Sequence, residues 1–234
     1  MKTINYQKIV NLSHIIQPSI PLWPGDPPVE FETVAKLDKD DYYLRKFSMG
    51  EHSGTHINAP NTFDKDGISI DQYSPQSLVI PAIVIDFRSQ TEKNFDSVLT
   101  IADILAWEKK YHQIPSNCAV LLYTGWQEKW DNPQAFLNAD TQGKLHFPGF
   151  SQDAIAYLLK ERKIAGVGID THGIDGGKND SFTTNKLMLK SQSIVLENLT
   201  NLDQLPPYGI TLVMGILKLL EGSGSPVSVL AFVA

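Results

Sequence analysis

Two of the six histidines, His52 and His56, lie within five residues of each other and could bind a divalent cation through neutral imidazole nitrogens. In an ideal strand, Cα atoms four residues apart are separated by roughly 13 Å, too far for one ion to hold both rings. A helix over this segment is disfavoured by the β-branched Thr55 and by Pro60, four residues after His56. Gly54 can adopt a backbone conformation closed to other residues, so we expect it to fold the two side chains onto one point.

Two further polar side chains are candidates for the same site. Asn58 follows His56 by two residues and can face the same side. Glu197 ends the apolar run 193–196, where a carboxylate would be poorly solvated without a partner, so a ligand or hydrogen-bonded role is expected. The alternatives are a loop whose histidines bond backbone carbonyls and a glutamate that ends its strand at the surface. The histidine pair around a glycine favours a site.

Several other catalytic motifs are missing from the sequence. There is no P-loop, and Gly166-Val-Gly168 lacks the third glycine of a dinucleotide site. The nearest match to a serine-hydrolase elbow, Gly50-Glu-His-Ser-Gly54, has histidine at its centre, and His-Glu-x-x-His is absent. Kinase, serine hydrolase and zincin functions are therefore not indicated.

The composition describes a chain of 234 residues with 42% hydrophobic and 20% charged side chains, for which we expect one domain over residues 1–234. The net charge of −6, with no more than two consecutive basic residues, predicts neither a nucleic-acid nor a membrane partner. The apolar runs fall short of the roughly 20 residues of a membrane span. The first eight residues show no secretory signal, so the cytoplasm is the expected location. Cys118 reads as a small buried hydrophobe.

The elements that must position these residues are short strands interleaved with a few helices, a pattern that predicts an α/β domain. A first helix is predicted from Thr100 to about His112, with Asp103 at the capping-box position. A second begins at Ser151 and a third at residue 183 or 184. Strands are predicted where β-branched and apolar residues cluster: 9–12, 42–49, 78–87, 119–123, 164–169, 193–196, 210–214 and 227–233.

The segment from His52 to Phe63, His-Ser-Gly-Thr-His-Ile-Asn-Ala-Pro-Asn-Thr-Phe, resembles the signature of the cyclase-like metal-dependent hydrolases. That family includes bacterial kynurenine formamidase and isatin hydrolase, and its motif is His-x-Gly-Thr-His-x-Asp-x-Pro-x-His. The resemblance implies a swivelling β/β/α fold with a mixed sheet, and usually dimers or larger assemblies. Further matches follow the family's order and spacing: 11–14, 23–26, 120–126, 168–171, 174–175, 197–199 and 224–227.

In that family, the two motif histidines and the aspartate bind a divalent metal, and the aspartate can bridge to a second metal held by a later histidine and a glutamate. The last motif histidine works as acid/base. This chain keeps His52, His56 and Glu197, and three positions differ: Asn58, Thr62 and Asn185. A neutral amide oxygen is a poorer ligand than a carboxylate and a poorer bridge. We therefore expect one divalent ion, zinc or manganese, on His52, His56 and Asn58, and no second metal.

The resemblance also suggests roles for three other residues. Thr62 occupies the acid/base position among the catalytic residues, although a threonine cannot titrate near neutral pH. His172, where relatives usually carry Pro or Leu, is a candidate compensating acid/base or ligand; alternatively, it is a loop histidine bonded to Asp170 or Asp175. Trp23 lies in a segment that lines the family's pocket, sometimes that of a neighbouring subunit. It is predicted to stack on a flat substrate, or else to pack against its own core.

The primary hypothesis is a metal-dependent, arylformamidase-like hydrolase of a small cyclic or N-acyl substrate: an amide, formamide or lactone. The ion would polarise the carbonyl and lower the pKa of the attacking water, with Glu197 and His172 handling protons. One alternative is a catalytically impaired family member that acts as a small-molecule binding or partner protein. Another is metal-independent hydrolysis by polar side chains of the same pocket. A small-molecule substrate and a homodimer or larger homo-oligomer are expected.

Overall fold

The computed structural model describes residues 3–234. Met1 and Lys2, the first residues of the predicted 1–234 domain and of the segment for which no secretory signal was predicted, lie outside the described residues. Within residues 3–234, no helix has both the length and the apolar character that a membrane crossing requires.

The central element is a mixed sheet that closes on itself. Its strands are β1 Lys8–Asn11, β4 His56–Asn58, β5 Val79–Asp86, β7 Ala119–Tyr123, β9 Gly166–Ile169, β10 Ile194–Glu197, β11 Ile210–Ile216 and β12 Gly224–Val233. They follow the order β1-β12-β11-β5-β7-β9-β10-β4, and β4 also pairs with β12, which completes the barrel. The middle strands β5, β7, β9 and β10 run parallel, and the outer pairings are antiparallel.

The three predicted helices begin where the sequence signals place them, at Ile101, Gln152 and Thr183, and three short helices were not predicted. Thr100 caps the helix Ile101–Tyr111. Its side chain accepts from the Asp103 backbone amide, and the Thr100 backbone amide donates to the Asp103 carboxylate, as a capping box requires. Ser151 caps the second helix with a single bond, in which its side chain accepts from the Ala154 amide. That helix ends in a π-helical turn at Leu158–Arg162. The helices are α1 Leu37–Asp40, α2 Arg88–Thr91, α3 Ile101–Tyr111, α4 Pro133–Leu137, α5 Gln152–Tyr157 and α6 Thr183–Lys190.

The strand β7 shows why the sequences of the barrel strands are continuous apolar runs. All five of its residues are buried, because alternate side chains enter two different cores. Leu121 belongs to the core inside the barrel. Val120 and Leu122 belong to the core between the sheet and the helices, with Ile104 of α3 and Leu189 of α6. The predicted α/β class with a mixed sheet is confirmed.

Two small sheets lie outside the barrel. One joins β2 Glu30–Ala35 to β3 Leu44–Ser48 in a hairpin, and the other joins β6 Val98–Leu99 to β8 Gly149–Phe150. The prediction of a strand over 42–49 is correct for β3 but too long, because Tyr42 and Tyr43 belong to the turn. The partner strand β2 was not predicted, since its polar and apolar residues are mostly exposed and carry no burial pattern.

Candidate active site

The two histidines are brought together by the glycine between them. Gly54 has a φ of +68°, in the left-handed region that glycine adopts without strain. The ring centroids of His52 and His56 lie 5.3 Å apart, and the rings are nearly perpendicular. The Asn198 amide donates to the Gly54 carbonyl, and the Thr55 hydroxyl donates to the Asn198 carbonyl, so both sides of the hinge are fixed. The predicted glycine hinge is confirmed.

The strand β4 places His56 and Asn58 on one face, because they are two residues apart. Both side chains are buried. His56 Nδ1 lies 2.9 Å from the Gly54 carbonyl, which can only accept, so Nδ1 carries a proton and Nε2 faces the site. Asn58 Oδ1 lies 2.8 Å from His52 Nδ1, and Asn58 Nδ2 donates to Glu197. The predicted juxtaposition of these three side chains is therefore observed.

Glu197 ends β10, which pairs with β4 so that Glu197 is opposite His56. Its carboxylate accepts hydrogen bonds from the Ile174 backbone amide and from the side chains of Asn58 and Asn185, and Oε2 lies 3.1 Å from His56 Nε2. Burial alone would raise the pKa of Glu197, but these contacts outweigh it, and the pKa lies below its ordinary value. Glu197 is an ionised, buried group, and the alternative of a surface glutamate is wrong.

Asn185 is held in place by the start of α6. Asp175 accepts from the backbone amides of Thr184 and Asn185 and from the Asn179 side chain. A carboxylate at the first turn of a helix is stabilised by the free amides and the helix dipole. Asp175 thereby directs the Asn185 side chain at Glu197.

On its other side, His52 is oriented by Ser223. Ser223 Oγ lies 2.9 Å from His52 Nε2, and the hydroxyl donates to Glu51 at 2.7 Å. The ring also packs against Gly224, where an added Cβ would lie 2.7 Å from His52 Cε1. Ser223 does not line the cavity, and its proton is directed at a carboxylate, so the contacts support an orienting role and not a nucleophile.

A cavity of about 220 Å³ opens over these polar groups. Its walls are aromatic: Trp23, Phe63, Phe147 and Phe182. Trp23 contacts Phe147 and Phe182 at centroid distances of 6.4 and 5.9 Å, and Phe182 contacts Phe63 at 5.5 Å. Trp23 therefore lines the cavity, as predicted, and also packs against other aromatic rings. The site combines a polar floor with flat apolar walls.

The other two predicted residues also line the cavity but lack proton-transfer partners. The Thr62 hydroxyl oxygen lies 2.7 Å from the backbone carbonyl oxygens of both Ala59 and Ser223, so its single proton is engaged by one of them. Burial and the nearby His56 lower the pKa of His172 to about 3, so this ring holds no second proton at neutral pH. Among the described residues, His172 makes no hydrogen bond to Asp170 or Asp175, whose carboxylates accept from other groups: Thr124, Gln127, Asn179, Thr184 and Asn185.

The side chains that could hold a metal ion are His52, His56 and Asn58, which bring two imidazoles and an amide together. His52 Nδ1 lies 2.8 Å from Asn58 Oδ1, and His52 Nε2 lies 2.9 Å from Ser223 Oγ. His56 Nε2 lies 3.1 Å from Glu197 Oε2. Separations of about 3 Å also suit neighbouring ligands around an ion with bonds of about 2.1 Å.

A metal site at this position needs the Asn58 amide as its third ligand. Across residues 3–234, no three His, Cys, Asp or Glu side chains converge as a group that could hold a metal ion. His52 and His56 supply nitrogens, and Asn58 Oδ1 is the nearest neutral oxygen. Among residues 3–234, Glu197 is the one carboxylate in hydrogen-bond or ion-pair contact with these three side chains.

Sequence reasoning missed the residues that complete the site from distant parts of the chain. Ser223 orients His52 across 171 sequence positions, and its hydroxyl donates to Glu51, the residue before His52. Phe147 and Phe182 complete the aromatic wall. Phe182 adopts a φ of +52°, unusual for an aromatic residue, directly before α6. The one local signal was that Ser223 lies between two glycines. Such glycines indicate that another chain segment approaches the backbone closely, but they do not show which segment it is.

Known proteins resemble this chain along nearly its whole length. The family described as putative cyclase matches residues 10–176. Isatin hydrolase of Roseibium aggregatum is 34% identical over 244 residues, covering 97% of this chain and 92% of that protein. Kynurenine formamidase of Geobacillus thermodenitrificans is 26% identical over 219 residues, covering 93% and 94%. The solved structure of isatin hydrolase A from Ralstonia solanacearum matches with a TM-score of 0.93 at 35% identity, covering 97% and 92%.

These matches confirm the resemblance seen in the motif around His52 and His56. The two named activities are both hydrolases, in agreement with the enzyme class predicted from the sequence. The family match includes the histidine pair, the cavity tryptophan and His172. The chain therefore belongs to the putative cyclase family.

Proposed function

We propose that this protein is a hydrolase of a small, flat amide, either cyclic or N-acyl, that uses one divalent ion on His52, His56 and Asn58. The observation that carries the proposal is the cluster of two imidazoles, an amide and a carboxylate on the cavity floor: His52 Nδ1 lies 2.8 Å from Asn58 Oδ1, and His56 Nε2 lies 3.1 Å from Glu197 Oε2. The hydrolase relatives support the reaction class.

When bound, zinc or manganese would supply a Lewis acid and lower the pKa of a water. The chain's own residues do the rest. Trp23 and Phe182 hold the flat face of the substrate. Glu197, kept ionised by its donors, accepts the proton of the attacking water at Oε2 and returns it to the leaving nitrogen. Thr62 accepts a hydrogen bond from the substrate, since its own proton is engaged.

The test is elemental analysis of the purified protein, followed by assays on N-formylkynurenine, isatin and simple lactones with and without added zinc or manganese. We expect about one ion per chain and turnover that a chelator abolishes. His56→Ala should lower turnover at least ~100-fold, since it removes a metal ligand and the partner of Glu197. His112→Ala, at an exposed position, is the matched control. A preparation that can be neither loaded nor made active would contradict the proposal.

The second candidate is a binding protein without turnover. It is favoured by the saturation of Glu197, whose two oxygens already receive four contacts from the protein. The discriminating variant is the triple substitution Asn58→Asp, Thr62→His and Asn185→His. Turnover gained by this variant, with none in the native chain on any of these substrates, would establish the binding function. Equal or lower turnover in the triple variant would favour the hydrolase.

The predicted homodimer or larger homo-oligomer remains a proposal. It is supported by the β2–β3 hairpin, on which apolar side chains are exposed: Val34, Leu37, Tyr42, Tyr43, Leu44 and Phe47. A two-stranded hairpin is marginal in water unless another surface covers it. Sedimentation at increasing protein concentration tests the proposal, and Tyr43→Glu with Phe47→Glu should shift the protein toward the monomer. A native chain that sediments as a monomer at all concentrations would contradict it.

A further inference from the structure

His172 lies at the edge of the cavity and is fixed there by aromatic contacts. It follows the carboxyl end of β9 and is 7% exposed. The edges of two rings hold it, Phe136 at a centroid distance of 4.8 Å and Trp23 at 6.0 Å, both at interplanar angles near 80°. The ring therefore cannot turn toward solvent without displacing the cavity wall.

The hydrogen-bonding state of this histidine differs from that of the other polar groups on the floor. Nε2 of His172 is buried and has no hydrogen-bond partner anywhere in residues 3–234. His52, His56, Asn58 and Glu197, by contrast, all contact polar protein atoms. A buried polar atom without a partner is costly, and such atoms in native proteins call for an explanation. A ligand that occupies the cavity is the partner the structure offers.

We propose that His172 is a positioning residue that hydrogen-bonds the amide edge of the flat substrate. The inference rests on the proposed function and identifies the substrate group that is bound. A neutral imidazole offers one donor and one acceptor, which suits the N–H and C=O of an uncharged amide. Because burial keeps the pKa of His172 near 3, the ring does not form an ion pair with a carboxylate ligand at neutral pH.

The test compares His172→Leu with His172→Gln. The leucine variant keeps the bulk and removes the polar atoms, whereas glutamine keeps a donor and an acceptor. Binding of isatin and of N-formylkynurenine is measured by calorimetry on chelator-treated protein, and kcat and KM are measured on metal-loaded protein. We expect the leucine variant to bind about 10- to 100-fold more weakly and glutamine to recover most of the loss.

Thermal unfolding separates positioning from a structural role. Removing a buried polar atom that has no partner should leave the melting temperature of His172→Leu unchanged or raise it, while affinity falls. A fall in melting temperature together with unchanged affinity would show that the ring serves only the packing of Phe136 and Trp23, and would overturn the inference.

The outcomes also distinguish this inference from the proposed function. Native protein that binds isatin without turnover, with affinity lost in His172→Leu, would end the hydrolase proposal and leave the inference standing. Turnover with KM and affinity unchanged in His172→Leu would overturn the inference alone. No binding of either amide to the native chain would overturn the inference, whereas lactone hydrolysis by the same preparation would still support a hydrolase.

Discussion

At the scale of single residues, the amide of Asn58 decides how strongly a cation is held. Asn58 contacts both His52 and Glu197, so it is the one neutral group between an imidazole and a buried carboxylate. Asn58→Asp places a second negative charge about 3 Å from Glu197. Without metal this repulsion should destabilise the fold by about 1–3 kcal/mol, and a bound ion should reverse the sign.

The measurement is thermal unfolding in a chelator and again in excess zinc or manganese. In the chelator, we expect Asn58→Asp to have a lower melting temperature than the native chain. Added metal should raise its melting temperature more than that of the native chain, because its affinity for the ion is at least ~10-fold higher. Asn5→Asp, at an exposed position, makes the same charge change away from the site. If Asn58→Asp responds to metal no more than this control, the three donors do not form a site.

The residue types of the site were readable from the sequence, but their contacts were only partly so. His52, His56 and Gly54 lie within five residues, and a local backbone argument was sufficient to bring the rings together. Glu197 was recognisable as a carboxylate closing an apolar run. Its donors, and the bond from Ser223 to His52, depend on which strands pair, and that is a property of the whole sheet.

At the scale of elements, the turn at Gly54 connects a loop to the short strand β4. A Cβ added there would meet Ile16 and Ile20 only at ordinary contact distances of 3.6 and 3.7 Å, so the cost of Gly54→Ala is backbone strain. We expect a loss of about 1–2 kcal/mol and weaker metal binding, because the strain relaxes by separating His52 from His56.

Gly54→Asn should cost less, since asparagine tolerates the left-handed region better than alanine. The control is Gly143→Ala: Gly143 also has a positive φ, of +80°, with no atom within 4 Å of an added Cβ. It should lose similar stability without any change in metal binding. Equal metal affinity in Gly54→Ala and the native protein would show that the hinge does not position the histidines.

A second element-scale contact joins two surface loops through His146. Its Nδ1 lies 2.9 Å from Asp96, and its Nε2 lies 3.4 Å from Asp140. The bonds to Asp96 and then Asp140 raise the pKa of His146 above its ordinary value of 6.5. Because the folded-state pKa is the higher one, this stabilisation is fully present below about pH 6.5 and is lost as the pH rises through the folded-state pKa.

The native chain should therefore be more stable relative to His146→Gln at pH 6 than at pH 9. Melting temperatures of the two proteins across this range give the difference directly, which removes the contributions of the other titrating groups. A difference that stays constant with pH would mean that the two carboxylates do not bind the charged ring.

The elements themselves were predicted best where a local rule acts. The helix α3 begins at the residue that the Thr100–Asp103 capping box indicates, and β7 coincides with its apolar run. The strand β4 escaped prediction because three residues are too few for a periodic pattern, and only its pairing with β10 and β12 makes it a strand. The strand β2 was not predicted because most of its residues are exposed, so its sequence carries no pattern of buried apolar residues.

At the scale of the whole molecule, the strand that closes the barrel, β4, also carries two residues of the site. β4 pairs with β10 on one side and with β12 on the other, and it carries His56 and Asn58. Gly224 begins β12 opposite Asn58, and a Cβ there would lie 2.7 Å from His52 Cε1 and 2.9 Å from the Ile57 carbonyl. Both contacts are far shorter than van der Waals distance, so a side chain cannot be accommodated without separating the strands.

Gly224→Ala should therefore destabilise the fold by about 1–3 kcal/mol and also weaken metal binding, because the displaced ring belongs to the site. Gly215→Ala in the adjacent β11 is the matched control, since its Cβ would meet Ser228 at an ordinary 3.9 Å. Urea unfolding and metal titration of both variants give the two quantities. Since the closing strands lie more than 160 residues apart in sequence, we expect the loss in Gly224→Ala to include slower refolding. A variant that keeps native stability and metal affinity would show that the barrel can close without this glycine.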